Sequence, residues 1–224
     1  MNNLTLVIPA KNESESLPIF LDELKKFNYK KLVVLHESDK ITINSIKNFT
    51  DVEIFYQKEL GFGAALIEGV KHIQTKYFCI ICADGSMNPS YLEKMLTIVD
   101  KNNLDFLFAS RYESPGGGSD DDTFVTSVGN FLFTKIGNIF FSLKLTDILY
   151  TYVMGVTKSF NDLNIKSNDF RFCVEFPIKA KRKHYQYSTI PSYERNRIGG
   201  QKKVNAFKDG LLILIKMISM FFIK

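Results

Sequence analysis

Short apolar runs alternate with amphipathic segments through the first half of the chain, and this alternation restricts the fold more than any other feature. Leu4–Ile8, Lys31–Leu35, Val52–Tyr56, Tyr77–Cys82 and Asp105–Ala109 have the length and residue types of strands. Between them, Ser14–Phe27, Ile41–Phe49, Ala64–Ile73 and Ser90–Asn102 read as helices, the first with Leu17, Phe20, Leu21 and Leu24 on one face. Strand–helix units in series predict an α/β fold with a mostly parallel central sheet and helices on both faces. Right-handed crossovers then bring the strand ends, and the loops after them, to one edge.

After Arg111 the pattern changes. Ser114–Asp122 reads as a flexible loop with a glycine triplet, and Phe124–Leu143 as a long aromatic-rich helix. Val174–Lys183 is helical in pattern, Gln186–Tyr193 strand-like, and Arg195–Lys203 a basic, glycine-containing loop. The apolar stretch Gly210–Ile223 is shorter than the roughly 20 residues that span a bilayer. It predicts a helix that either closes the core or lies on a membrane or a partner. The expected division is therefore a main domain over 1–209 and an apolar terminal segment over 210–224. The Met-Asn-Asn start, with no basic and apolar leader pattern, predicts no signal peptide.

With 45% apolar and 24% charged residues in 224, the chain can bury a core and is not of the disordered class. The net charge of +5 collects late, in residues such as Lys181, Arg182, Arg195, Arg197, Lys202 and Lys203. Such a patch suits phosphates or anionic lipid headgroups. Nucleic acid is not expected, because no stacking platform or known binding motif accompanies it. Cys79, Cys82 and Cys173 are an odd set, two of them in an apolar strand, which predicts reduced thiols in a cytosolic setting. Cys79-x-x-Cys82 has the spacing of a redox or zinc pair, but strand alternation would point the two to opposite faces. No second pair accompanies them, so buried structural thiols are expected.

The candidate chemistry sits where strands end. Phe78–Ala83 runs into Asp84-Gly85-Ser86, which puts a carboxylate at the carboxyl end of a buried strand, where open α/β sheets bind ligands. It could hold a hard cation against a diphosphate, or it could be an ordinary strand-to-helix turn. Pro9–Glu13 follows the first strand and opens a helix, either to bind a ligand at its amides or simply to cap it. Gly61 and Gly63 open the third helix, for close approach of a nucleotide or for tight packing. Arg111, at the end of the fifth strand, is placed to grip a phosphate with two donors, or is a surface arginine. Arg195–Lys203 has glycines that let a loop close and cations that can neutralise a diphosphate, or it is a solvated basic loop.

Taken in order, these pieces resemble the family 2 glycosyltransferases, and most closely the polyprenyl-phosphate (dolichol-phosphate mannose synthase-like) sugar transferases. The resemblance runs from Val7–Glu13 through Gly61/Gly63/Gly69, Ala83–Ser86 with Pro89, Ser110–Tyr112 with Gly116–Gly118, Gly129-Asn130, Thr146-Asp147, Glu175 and Ile190-Pro191 to Arg197–Gly200 with Lys203. It implies a GT-A nucleotide-binding fold, a UDP- or GDP-linked sugar donor and Mg2+ or Mn2+ as cofactor. It assigns Asp84, with Ser86 or water, to the metal and diphosphate. Pro9, Ala10, Glu13 and Gly63 fall to the nucleoside, and Arg111, Arg197 and Lys203 to the phosphates. The implied acceptor is a polyprenyl phosphate or lipid-linked saccharide, and transfer inverts the anomeric carbon for cell-surface glycan synthesis. The implied place is cytoplasmic, peripheral at the inner face of the membrane, with a homo-oligomer compatible. A saccharide acceptor would call for a carboxylate base, with Asp147 or Glu175 as candidates. The chain departs from the family pattern at Cys82, where the first acid of Asp-x-Asp stands, and at Leu35–Ser38, where Asp-Asp-Gly-Ser is usual. Glu37 or His36 would substitute in the second. The usual Ser-Lys reads Lys202-Lys203. These departures favour, as the other reading, a catalytically weak homologue that binds a nucleotide sugar or a partner enzyme.

Overall fold

The structure is a computed structural model that describes residues 3–222. Its centre is a seven-stranded sheet in the order β3-β2-β1-β4-β7-β5-β8. These are β1 (Leu4–Pro9), β2 (Lys30–Leu35), β3 (Val52–Tyr56), β4 (Tyr77–Ile80), β5 (Phe106–Ser110), β7 (Val153–Val156) and β8 (Tyr187–Pro191). The helices are α1 (Ser16–Leu24), α2 (Lys40–Ile46), α3 (Phe62–His72), α4 (Leu92–Lys101), α5 (Phe124–Phe141), α6 (Thr157–Asp162), α7 (Phe172–Arg182) and α8 (Ala206–Phe222). A small parallel pair, β6 (Gly118–Ser119) and β9 (Tyr193–Glu194), lies apart from the main sheet.

Strand alternation builds two cores. Val7, Val34, Phe78, Ile80, Phe106 and Phe108 face α3, α6 and α7, while Leu6, Ile8, Cys79, Leu107 and Ala109 face α1 and α4. Both faces of the central strands are covered, as parallel sheets require. The first core is aromatic: Phe176 meets Phe106 edge-on at 4.9 Å and Phe160 at 5.2 Å between ring centroids.

The expected parallel sheet is present, with one strand added. β7 enters between β4 and β5 and runs antiparallel to both. Its four residues are bracketed by no turn signal strong enough to mark them in the sequence. Gly155 makes the insertion fit, since a Cβ there would stand 2.5 Å from the Phe106 ring. The Ser114–Asp122 segment, expected as a flexible loop, carries β6 and is held to β9. Cys79 and Cys82 do not point to opposite faces. β4 ends at Ile80, so alternation stops, and both sulfurs meet the α1/α4 core.

The apolar terminal segment forms most of α8, and Ile223 lies outside the described residues. Ile213, Met217 and Met220 enter the first core, so one face of the helix closes it. Between them Lys216 reaches the buried Glu175 at 3.0 Å, which also takes Lys179 at 2.7 Å and the backbone N–H of Ser167 at 2.9 Å. The other face, with Phe207, Leu211, Ile215 and Ile218, is exposed. Next to it α5 exposes Phe124, Val128, Phe131, Leu132 and Ile139. No helix among the described residues is long and apolar enough to cross a membrane.

Two predictions follow from this packing. Burial alone would raise the pKa of Glu175, but hydrogen bonds from Lys179, Ser167 and Lys216 override it and hold the group down at about 2, against 4.5 in the open chain. Its contribution to stability is therefore present above pH 4.5 and lost as pH falls toward 2. Glu175→Gln should flatten that acid limb in thermal unfolding followed across the range; an unchanged limb would remove Glu175 from the anchor. Gly61 has φ +128° and a Cβ there would stand 2.0 Å from the carbonyl oxygen of Asn168. Gly61→Ala should cost about 3 kcal/mol or more in urea unfolding.

Candidate functional site

The site forms at the carboxyl ends of β1, β2 and β4. Beyond β4 the chain turns at Asp84-Gly85-Ser86, with Gly85 at φ +73°. Asp84 Oδ1 accepts the Ser86 N–H at 3.1 Å and the Ser86 hydroxyl at 2.9 Å, so the buried serine orients the carboxylate. The turn is gripped from the far end of the chain. Ile198 N–H donates to the Asp84 carbonyl at 2.8 Å, and Arg195 N–H to that of Ser86 at 2.9 Å. Arg195 Nε reaches the Gly85 carbonyl at 3.0 Å, while its two terminal nitrogens fork onto Glu23 at 3.0 and 2.8 Å. The Ile198 side chain covers the space a Gly85 Cβ would need, at 2.4 Å.

The Pro9–Glu13 turn is tied to the start of α2. Asp39 accepts the N–H of Asn12 at 2.7 Å and of Thr42 at 3.3 Å, and Thr42 Oγ1 accepts the Glu13 N–H at 3.0 Å. Asn12 takes the left-handed conformation, φ +53°. Glu13 is buried and bridges Ser16 Oγ at 2.7 Å and Lys203 Nζ at 3.2 Å. Where an acidic turn was expected from Glu37 or His36, Glu37 is exposed and His36 bonds Ser38 Oγ at 2.7 Å. Asp39 is the acid that ties this turn to the start of α2. Its signal was available as a helix N-cap, Ser38-Asp39 ahead of the second helix.

The basic loop closes over this mouth. Asp121 takes the Nε and Nη2 edge of Arg197 at 3.2 and 2.8 Å, leaving Nη1 facing Asp84 Oδ2 at 3.5 Å. Lys202 also reaches Asp121, at 3.4 Å. Gly200, at φ +78°, lets the loop pass Glu13, where a Cβ would sit 2.8 Å from Oε2. The acidic triplet Asp120–Asp122, read in the sequence only as loop, has a different set of partners at each residue. Asp120 accepts the Tyr193 hydroxyl, Asp121 the two loop cations, and Asp122 the hydroxyls of Tyr112 and Thr126 at the start of α5.

Arg111 lies beneath the mouth rather than in it. Its Nε and Nη2 fork onto Asp147 at 2.7 and 3.1 Å, Nη1 reaches Glu194 at 3.2 Å, and the guanidinium stacks over Tyr150 at 4.7 Å. Its side chain is 11% exposed and that of Asp147 is fully buried. Burial pushes the Glu194 carboxyl above its ordinary range, and Arg111 and Ser119 offset only part of that. Glu194 joins the small sheet to the Asp84 turn through a bridge to Met87. Sequence reasoning passed over it because it reads as one more charge beside a basic loop. Gly63 also stands apart from the mouth: the Ser167 carbonyl occupies the space of its Cβ at 2.2 Å, so Gly61 and Gly63 at the start of α3 serve packing against residues 167–169. Neither carboxylate expected as a base is free, Asp147 being clasped by Arg111 and Glu175 by two lysines.

The side chains do not make the expected cation site of Asp84 and Ser86. Asp84 Oδ1 already accepts both the Ser86 hydroxyl and its N–H, and Oδ2 faces the Arg197 guanidinium, so neither carboxylate oxygen is without a donor. Burial and the nearby carboxylates of Asp84, Glu194 and Glu13 push the Cys82 thiol up, so it stays a neutral sulfur. No group of three or more His, Cys, Asp or Glu among the described residues could hold a metal.

Residues 5–163 match the family described as Glycosyl transferase family 2. The chain belongs to that family. It is 20% identical over 214 residues to the glycosyltransferase AglJ of Haloferax volcanii, covering 95% of this chain and 70% of that one. An uncharacterized glycosyltransferase of Mycobacterium tuberculosis is 33% identical over 98 residues, 44% of each chain, so the present chain spans under half of that relative. Among solved structures, glucosyl-3-phosphoglycerate synthase from M. tuberculosis with Mn2+, UDP and phosphoglyceric acid superposes with a TM-score of 0.73 at 11% identity, over 100% of this chain and 80% of that one. Mannosyl-3-phosphoglycerate synthase from Rubrobacter xylanophilus gives 0.70 at 16%, over 98% and 73%. These likenesses establish the GT-A type α/β fold.

Arg111→Met should cost about 3–5 kcal/mol in urea unfolding, because it strands two buried carboxylates. Adding Asp147→Leu to that variant should recover part of the loss; a further fall of the same size would show that the pair is not coupled.

Proposed function

We propose that this glycosyltransferase moves a sugar from a UDP- or GDP-linked donor to a polyprenyl phosphate or lipid-linked acceptor, with inversion. The observation that carries the reading is the closure of a loop with Arg197, Lys202 and Lys203 over the end of β4, with Arg197 facing Asp84. Fixed cations at that edge suit a diphosphate leaving group. In the reaction an acceptor oxygen forms a bond to the anomeric carbon as the bond from that carbon to the donor phosphate oxygen breaks. The electron pair leaves with the diphosphate. Arg197, Lys202 and Lys203 stabilise the charge that develops there, and Glu13 and Asp121 hold those cations in place. Pro9 and Ala10 form the floor beside the nucleoside.

A phosphate acceptor is favoured because it is already ionised and needs no base. Both carboxylates that might serve a hydroxyl acceptor are held in ion pairs. The exposed apolar residues of α5 and α8 support a lipid-borne acceptor and a peripheral position at the inner face of a membrane. α5 starts beside the acidic triplet, so its apolar stripe begins at the mouth of the site.

The test is transfer of radiolabelled sugar from a panel of UDP- and GDP-sugars to polyprenyl phosphate in liposomes. One donor should support transfer, and Asp84→Asn should lower the rate about a hundredfold, the scale of losing one preorganised donor to the developing charge, because Asp84 faces the Arg197 guanidinium that supplies it. Donor binding without transfer to any phosphate or saccharide would favour instead a catalytically weak homologue, for which Cys82 in an acid's place is the specific observation.

A further inference from the structure

The cation expected between Asp84 and a diphosphate has a competitor already built into the chain. Arg197 is held by the edge that pairs with Asp121, through Nε at 3.2 Å and Nη2 at 2.8 Å. A guanidinium gripped along one edge is fixed in plane, and its remaining nitrogen has one direction to face. Here Nη1 faces Asp84 Oδ2 at 3.5 Å. The same segment is locked to the Asp84 turn by the Ile198 N–H bond to the Asp84 carbonyl, so Arg197 is carried to the carboxylate by the backbone as well.

The neighbouring groups lean the same way. Cys82 offers sulfur where a hard oxygen would serve magnesium or manganese, and sulfur is a poor ligand for either. Lys202 and Lys203 add two further positive groups from the same loop, held ready by Asp121 at 3.4 Å and Glu13 at 3.2 Å. Three cations on one short loop face the two negative charges of a diphosphate esterified at both ends, and Lys202 and Lys203 can exchange their carboxylate partners for phosphate oxygens.

We propose that in this chain the diphosphate is neutralised by the 195–203 loop, with Arg197 in the place of the divalent cation, so that donor binding does not require a metal. Asp121 is then a positioning residue: it sets the plane of Arg197 and so acts on the diphosphate through it. Asp84 likewise orients the guanidinium. This rests on a nucleoside diphosphate sugar being the donor, and solved relatives of the same fold with UDP and Mn2+ or Mg2+ supply the contrast.

Calorimetric titration of the wild-type chain with UDP, GDP and their sugars, in EDTA and then in manganese, tests it. The expected result is binding of one nucleotide series with affinities in the two buffers that agree within about threefold, under 1 kcal/mol on the tenfold-per-1.4 scale. In EDTA, Arg197→Ala should weaken binding roughly tenfold or more, and Arg197→Lys, which keeps the charge but loses the fork, by an intermediate amount. Asp121→Asn should lower affinity in EDTA by more with the wild-type arginine than in the Arg197→Lys background, where only its hold on Lys202 is lost; equal losses in the two backgrounds would remove Asp121 as a positioner of Arg197. Cys82→Asp should bring manganese dependence into binding by supplying a second hard oxygen. Binding that appears only with manganese would overturn the inference while leaving the donor intact. No nucleotide bound in either buffer would instead sink the reading of the donor itself.

Discussion

The backbone bonds between the Asp84 turn and residues 195–198 are the contact on which the rest of the site depends. They join segments more than a hundred residues apart, and they fix the end of β4 to the loop that covers it. Without them Asp84 would sit on an open turn and Arg197 on a free loop. Loops of this kind carry function only when a rigid scaffold aims them. Here the scaffold is β4 on one side and, on the other, the small β6–β9 pair with Arg195 clamped to Glu23. The glycines at 85 and 200 are required because Ile198 and Glu13 occupy the space of their missing side chains.

What could be read from the sequence follows from what is local. The strands β1 to β5 and helices α1 to α4 are short periodic segments whose apolar pattern declares them, whereas the order β3-β2-β1-β4 comes from the fold alone. The turns after β1 and β4 meet at one edge as expected, whereas Arg111 after β5 is buried beneath it. β7 was not legible because four residues carry too little pattern, and its antiparallel insertion is decided by a long-range fit around Gly155. The partners of Arg111 were equally hidden. Asp147, Glu194 and Asp122 lie far apart along the chain, and only the fold shows that they exhaust the guanidinium.

That buried cluster illustrates how charge is divided between two tasks. Arg111 and Arg197 use the same device, one edge on a carboxylate and one nitrogen turned elsewhere. Arg111 is 11% exposed and its last nitrogen meets Glu194, so it is closed off and holds structure. Arg197 is 20% exposed and its last nitrogen meets Asp84 across the mouth. On the proposed reading, Arg197 is the one of the two that a donor phosphate reaches, because its third nitrogen lies at the mouth. A deeply buried ion pair broken on one side is costly, while a partly solvated one can be traded for phosphate at small loss. The sequence ranks the two arginines alike, and the fold separates them by their partners, the fully buried Asp147 for one and the partly exposed Asp84 and Asp121 for the other.

Depth also separates the two faces of α8. Lys216 is drawn inward to Glu175, and the same carboxylate takes the backbone of Lys166 and Ser167. Those residues lead into the Asn168 carbonyl that accepts the Ala64 N–H at the start of α3. One buried acid thus ties the terminal helix, the 165–169 segment and the α3 turn into a single unit. The outward face of α8, with that of α5, is then held at a fixed angle to the sheet. An apolar surface on a rigid mount can orient the site mouth toward whatever covers it, whereas the same residues on a loose tail could only tether it. The anchoring of Glu175 is therefore what gives the exposed phenylalanines a direction.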